Sequence, residues 1–425
     1  MEPMSDDVKI YGMEPEKGRW MLVFLGMVIN LCLGSIYSWS VFVGPLTEFF
    51  SGMGQTVTAS QILTPFSLFL AFFALAMPLT GKYIEVYGPR KITLVGGVLC
   101  GLGWFLASMA TSVTWLYVAY GVIGGLGVGI AYGCPVAVAA RWFPDRRGLA
   151  VGLTLLGFGF SALVTANLAG YLIGTTGVMN TFRIFGIAFV IIIAVLSMPL
   201  VFPPSGWKPS GWTPPAPKPG AHVTCECNRG EMLKSKGFYG LWICYFIGCL
   251  AGLMAISISK PVGTEVVQIE AGLATFLVGF FAIFNGGGRP VFGSLTDKLT
   301  PRNAAVLSFV LIAIASVMMM MAAAPGSTGT YVYIISFALL WGCLGGWLAI
   351  APTATASFFG TCDYPRCYGV VFLAYGAGAI VGPRLAGYVH DTTGSYTGVF
   401  YPVLILAVIG IVVAFLLMKP PVAKE

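Results

Sequence analysis

Gly81-Lys82-Tyr83-Ile84-Glu85-Val86-Tyr87-Gly88-Pro89-Arg90 and Gly293-Ser294-Leu295-Thr296-Asp297-Lys298-Leu299-Thr300-Pro301-Arg302 are two versions of one turn. Glycine, acid, proline and arginine recur in both, at a constant offset of 212 residues. A second echo pairs Leu168-Ala169-Gly170-Tyr171 with Leu385-Ala386-Gly387-Tyr388, and Thr175-Thr176-Gly177 with Thr392-Thr393-Gly394. These share an offset of 217, as do Pro135 and Pro352. The chain is therefore written twice, and each copy must be a folding unit of similar layout.

Composition says what the units are made of. Of 425 residues, 57% are hydrophobic and only 9% charged, with a mean hydropathy of +0.87. Soluble domains carry about 25% charged residues, so the solvent of this chain is lipid. Apolar runs of about 20 residues suffice to cross a bilayer as helices. Twelve are read, at about 20–43, 57–81, 91–112, 113–140, 145–174, 181–203, 238–259, 270–295, 301–323, 328–358, 366–390 and 395–418. The expected fold is an all-α polytopic membrane protein, with two pseudo-symmetric six-helix bundles. Residues 1–19 form a cytoplasmic N-terminal segment, 20–202 the first bundle and 238–418 the second. Residues 203–237, with Pro203-Pro204 and the run Pro214-Pro215-Ala216-Pro217-Lys218-Pro219, break the pattern and read as a linker. Residues 419–425 form a tail. Met-Glu-Pro occurs at both Met1 and Met13, and residues 1–12 carry none of the functional argument. Met1 to Gly18 is polar, so no cleavable signal peptide is expected there.

Charge sets the orientation. With a cytoplasmic N-terminus, 19 of the 23 Lys and Arg residues fall inside, Arg183 and Lys260 outside, and Arg289 and Arg384 within helices. That asymmetry follows the positive-inside rule, with both termini expected on the cytoplasmic face of a cell inner membrane. The net charge of +7 is thereby a consequence of topology, and nucleic acid is not an expected partner. The ten cysteines lack paired spacing, which argues against a disulfide framework. His222, Cys225 and Cys227 cluster in the linker but want a fourth ligand, so they read as ordinary loop residues. No metal and no cofactor is expected, and no Ser-His-Asp set appears, so the chain does not read as an enzyme.

One residue breaks the apolar logic. Arg289, in Phe284-Asn285-Gly286-Gly287-Gly288-Arg289-Pro290, lies inside the eighth apolar run. Cations at that depth are costly and line polar cavities or bind ligands. A guanidinium fork matches a carboxylate, which points to a small organic anion. The three glycines leave room beside it, and Pro290 removes a backbone donor. Asn285 lies one turn earlier on the same face. None of the 16 acidic residues falls mid-helix, so no built-in counter-ion is expected. Tyr37, Tyr132, Trp341, Phe372 and Tyr375 are further cavity candidates on helices 1, 4, 10 and 11, with helix packing or an interfacial belt as the bland alternative. The glycines from Gly121 to Gly133 read as close helix crossings. Arg384 reads as snorkelling or as paired with Glu265, Glu270 or Asp391. Lys260 and Glu265 mark an outer gate or entry funnel.

The doubled turn resembles the signature of the major facilitator superfamily. The resemblance implies that Gly81, Glu85 and Arg90, with Gly293, Asp297 and Arg302, form conformational latches at the cytoplasmic helix ends in the outward-facing state. Glu85 stands where the family usually has aspartate. Within the superfamily the chain is similar to the monocarboxylate-porter and oxalate:formate-antiporter branch. Tyr37-Ser38-Trp39, the run Arg141-Trp142-Phe143-Pro144-Asp145-Arg146-Arg147-Gly148-Leu149-Ala150-Val151-Gly152, and Asn285-Gly286-Gly287-Gly288-Arg289-Pro290 carry that similarity. It implies that Arg289 is the substrate-binding arginine. Asn285 replaces an aspartate of the animal porters, and Val41 stands where some of them carry a lysine. Tyr375 stands where oxalate exchangers carry a second cation. One cation suits one carboxylate, so a lactate- or pyruvate-type monocarboxylate moving with a proton is the expected cargo. Transport would be by alternating access, as a monomer. Oxalate–formate exchange is the alternative, and a non-transporting receptor or scaffold is the alternative of another class.

Overall fold

The computed structural model describes residues 10, 12–204, 206–211, 228–360 and 363–421. Among these residues it is helical throughout, apart from an isolated bridge between Ile10 and Met13. Twelve helices are long and apolar enough to span a membrane. They are α1 Pro15–Gly52, α2 Ala59–Tyr87, α3 Pro89–Ala107, α4 Val113–Trp142, α5 Arg147–Thr176 and α6 Val178–Ser197 in the first half. The second half holds α7 Lys236–Val266, α8 Ala271–Leu299, α9 Pro301–Met321, α10 Ser327–Phe359, α11 Tyr364–Thr393 and α12 Thr397–Leu417. His222, Cys225 and Cys227 lie outside the described residues.

Helix α1 begins earlier than its apolar run. Pro15 sits at its first position and Glu16 in its first turn, both favourable at a helix start. Arg19 follows, held by Glu16 and Asp145 at 2.7 Å each, so the charged turn is satisfied rather than frayed. Burial works to raise the Asp145 carboxyl, but the Arg19 bonds and the Arg146 charge outweigh it and hold it below the usual carboxylate range.

The repeat is exact in the backbone. Helices α2 and α8 each contain 29 residues, with both ends displaced by the offset of 212. They share one proline position, Pro78 and Pro290, and α2 has a second proline, Pro65. Helices α5 and α11 each contain 30 residues, displaced by 217. The turn after α2 needs a left-handed residue, and Gly88 supplies it at φ 80°, ψ 160°. Its counterpart Thr300 adopts φ 91°, ψ 151° with a β-branched side chain, a strained choice. Its hydroxyl group accepts from the Asn303 N–H, which caps α9.

The halves meet along two seams. Helix α2 runs against α11, with Ser60 on Gly387, Ala74 on Gly376 and Pro78 on Gly369. Helix α5 runs against α8, with Gly170 on Thr275, Asn167 on Gly279 and Phe160 on Gly286. A side chain at most of these glycines would collide with the opposite helix, so the close approach depends on their bareness. The same holds inside the first half, where Gly125 abuts Phe69 and Gly127 abuts Cys100. We call the end with the two repeated turns the basic end and its opposite the far end. Among the described residues Cys32, Cys100, Cys134, Cys244, Cys249 and Cys343 are free and buried.

Candidate substrate site

Arg289 lies on α8, ten residues and roughly 15 Å of helix from Leu299 at the basic end. Its side chain leans across the seam: Nη1 donates to the Leu155 carbonyl of α5 at 2.8 Å. Nε and Nη2 are buried without a hydrogen-bond partner. Among the described residues no carboxylate pairs with Arg289. The guanidinium thus has one edge satisfied by backbone and the adjacent edge, the one that carries two parallel N–H vectors, unspent. Nature rarely leaves such groups unpaired, because a buried unsatisfied charged donor costs several kcal/mol.

An aromatic shell surrounds this edge. Tyr37 of α1 lies in a 3-10 turn, Gly34–Ser38, where Gly34 rests on the Phe158 backbone of α5. That turn aims the Tyr37 ring edge-on to Phe158 at 5.2 Å, and its hydroxyl bonds the Tyr375 hydroxyl at 3.0 Å. Tyr375 stacks on Phe372 at 5.0 Å, one helical turn away on α11. Tyr132 of α4 meets Phe158 at 5.2 Å and Phe73 at 5.1 Å. The guanidinium lies within electrostatic reach of the Tyr37 and Tyr132 hydroxyls. Arg289, Tyr37 and Tyr132 thus lie within reach of one another, and Tyr375 and Phe372 join them through the Tyr37 hydroxyl.

Trp341 and Asn285 sit at the margin. Trp341 stands 6.3 Å from Tyr37, and its Nε1 donates to the Ser259 hydroxyl of α7 at 3.0 Å. Asn285 is fully buried and donates to the Trp341 carbonyl at 3.2 Å, and Gly345 packs against its backbone. Asn285 fixes α8 to α10, whereas Arg289 faces α5. Sequence reasoning missed Phe73 and Phe158, which bind the shell together: Phe73 touches Tyr132, Phe158, Phe372 and Tyr375. Phe158 carried a signal, since Gly157 and Gly159 flank it. Leu155 carried none, because it acts through its carbonyl.

The expected latch residues lie at the basic end but do not pair within their own turns. Glu85 forms an ion pair with Arg141 of α4. Arg90 reaches the Met198 sulfur, and the Arg302 guanidinium lies 5.8 Å from the Phe415 ring. Asp297 has no ion-pair partner among the described residues. Gly81 leaves open space beside its helix end, and Gly293 lies in ordinary contact range of Ala349. The pairings considered for Arg384 do not form: Glu265 bonds His390 at 3.0 Å, and Asp391 bonds backbone. Arg384 is exposed instead, within electrostatic reach of Tyr117.

Twelve apolar helices in two repeated halves, with a half-buried arginine on the seam between them, are the architecture of a polytopic membrane protein. The sequence model of the Major Facilitator Superfamily matches residues 20–361, and the chain belongs to that family. The oxalate:formate antiporter of Oxalobacter formigenes is 29% identical over 377 residues, covering 88% of this chain and 86% of that protein. Monocarboxylate transporter 14 of Mus musculus is 25% identical over 471 residues, covering 94% and 90%. A solved bacterial homologue of the human lysosomal transporter Spinster, inward-facing and occupied, superimposes with a TM-score of 0.71 at 16% identity. It covers 96% of this chain and 98% of its own, and shares the fold. The family and these relatives are transporters, not enzymes.

Proposed function

We propose that this protein carries a small monocarboxylate of the lactate or pyruvate type across the inner membrane in symport with a proton, with both termini cytoplasmic. The observation that carries the reading is the unspent Nε–Nη2 edge of Arg289, buried and without a carboxylate partner. A carboxylate docked side-on there receives two parallel charge-assisted bonds and neutralises the cavity. Tyr132 and the Tyr37–Tyr375 hydroxyl pair stand ready for a keto or hydroxyl group, while Phe372 and Trp341 line its apolar body. Asn285 holds the helix that presents the arginine. The two halves rock about this point as a monomer in the bilayer, with Glu85, Arg90, Asp297 and Arg302 bracing the basic ends when the far end opens.

A second reading is exchange of the oxalate–formate kind. It is favoured by the antiporter relative and by the uncompensated cation, which resists moving unloaded. Charge counting favours the monoanion: oxalate on one arginine leaves a net negative charge in a low-dielectric space. Counterflow in proteoliposomes, comparing lactate, pyruvate, oxalate and formate under an imposed pH gradient, separates the readings. The symport reading expects lactate or pyruvate to compete well, with uptake that follows the pH gradient and ignores voltage. Tight oxalate binding with lactate ignored, or strongly voltage-driven uptake, overturns it.

A further inference from the structure

The two ends of the molecule differ in their polar contacts between the halves. At the far end the Asp391 carboxylate of α11 crosses to the other half and caps α2. Its Oδ1 accepts from the Ala59 N–H at 2.8 Å and its Oδ2 from the Ser60 N–H at 3.1 Å. One turn earlier on α11, Gly387 lies so near the Ser60 backbone that a methyl group would collide with it. A bidentate carboxylate on the first N–H groups of a 29-residue helix meets both its unsatisfied donors and its positive dipole end. This joins two helices 332 residues apart in sequence.

The repeat provides an internal control. The offset of 217 places Gly174 of α5 where Asp391 stands, facing the start of α8. Gly174, Ala271 and Gly272 line one groove of about 370 Å³, together with Lys260. The α8 N-cap, Glu270, makes no side-chain cap. The second seam therefore lacks the bond that the first one has. At the basic end Glu85, Arg90 and Arg302 make their contacts within their own halves.

We propose that Asp391 is the far-end latch: its two bonds hold α2 to α11 and keep the far end shut, and opening toward that side must break both. The residue acts on the balance between conformers and touches no substrate. The inference stands apart from the assignment of the cargo.

Hydrogen exchange on the full-length protein in nanodiscs, without substrate, reads the latch directly. Asp391→Asn keeps the shape but drops the charge. It is expected to speed exchange at Ala59 and Ser60 on the order of fivefold. If the bond is a latch, the far end of the other seam, residues 271–280, speeds up in the same variant although Asp391 does not touch it. Gly174→Asp offers the complementary test, since no heavy atom lies within 4 Å of the position a Cβ would take. It builds the missing cap on α8 and is expected to slow exchange on both seams. It also decides the matter should Asp391→Asn fail to fold. Acceleration confined to residues 59–62, or exchange in Gly174→Asp that slows at 271–272 alone, shows a local helix cap and overturns the latch.

Discussion

Helices α2 and α8 share length, boundaries, a proline position and the following turn, yet differ where the site lies. Where α8 has Asn285 and Arg289, the offset of 212 puts Phe73 and Met77 in α2. Phe73 gives a ring to the aromatic shell, and Arg289 gives it a cation. The same division recurs in the other repeated pair, where Phe158 of α5 answers to Tyr375 of α11 and Leu155 to Phe372. The scaffold is twofold and the chemistry is not. Symmetric packing supplies a hinge that can rock either way, while the charge in one half gives the ligand a defined orientation.

The most severe way to break this comparison is to make the two halves alike. Arg289→Ala is expected to reduce substrate affinity on the order of 10² or more, because a charge-assisted contact in a dry cavity is lost. Binding by calorimetry, with thermal stability measured alongside, separates a lost site from a lost fold. Arg289→Lys should fail as well, since a point charge cannot reproduce the fork. A lysine variant that transports like the parent disproves the side-on docking.

Changing the valence sharpens the comparison. Tyr375→Lys adds a second cation beside Tyr37 and Phe73 and should improve oxalate binding while harming monocarboxylate binding, about tenfold each way. Competition against a labelled monocarboxylate reads the ranking, and an unchanged ranking means that Tyr375 is remote from the bound anion. A smaller effect is expected at the repeated turns. Glu85→Gln with Asp297→Asn should lower turnover a few-fold at near-normal affinity, by shifting a two-state equilibrium. Unaltered turnover in the double variant reduces both acids to topological anchors. The smallest effect concerns Gly88 and Thr300. Thr300→Gly relieves a positive φ on a β-branched residue and should stabilise the protein by about 1 kcal/mol, less the lost cap, read as a higher Tm. A lower Tm shows that the Thr300 hydroxyl on Asn303 matters more than the strain.

Much of this was legible in the sequence because it is written in periodicity and cost. The twelve helices follow from hydropathy, the two halves from constant offsets, and Arg289 from the penalty on a cation at that depth. The sequence marks Tyr37 and Tyr375 as cavity candidates but does not show the bond between their hydroxyls. What stayed hidden was mostly pairing across long separations. Nothing in the turn Gly81–Arg90 says that Glu85 reaches Arg141 on another helix instead of its neighbour Arg90. Asp391 looked like one of several partners for Arg384, and only the packing of α2 on α11 turns it toward backbone donors. Phe73 was one apolar residue among many in its helix. Leu155 shows the limit most plainly, since every residue has a carbonyl and only the fold selects which one is offered.

The Leu155–Arg289 bond also has a kinetic consequence. It ties the halves together through a group that must let go, or slide, whenever the carrier reorients. An empty carrier makes that passage with an unpaired guanidinium, whereas a loaded one makes it with the guanidinium bonded to the carboxylate. The unloaded return should therefore be the slow leg of the cycle, and efflux of labelled substrate should quicken when unlabelled substrate waits on the other side. Equal efflux with and without it would mean that the arginine finds a replacement partner on the way back.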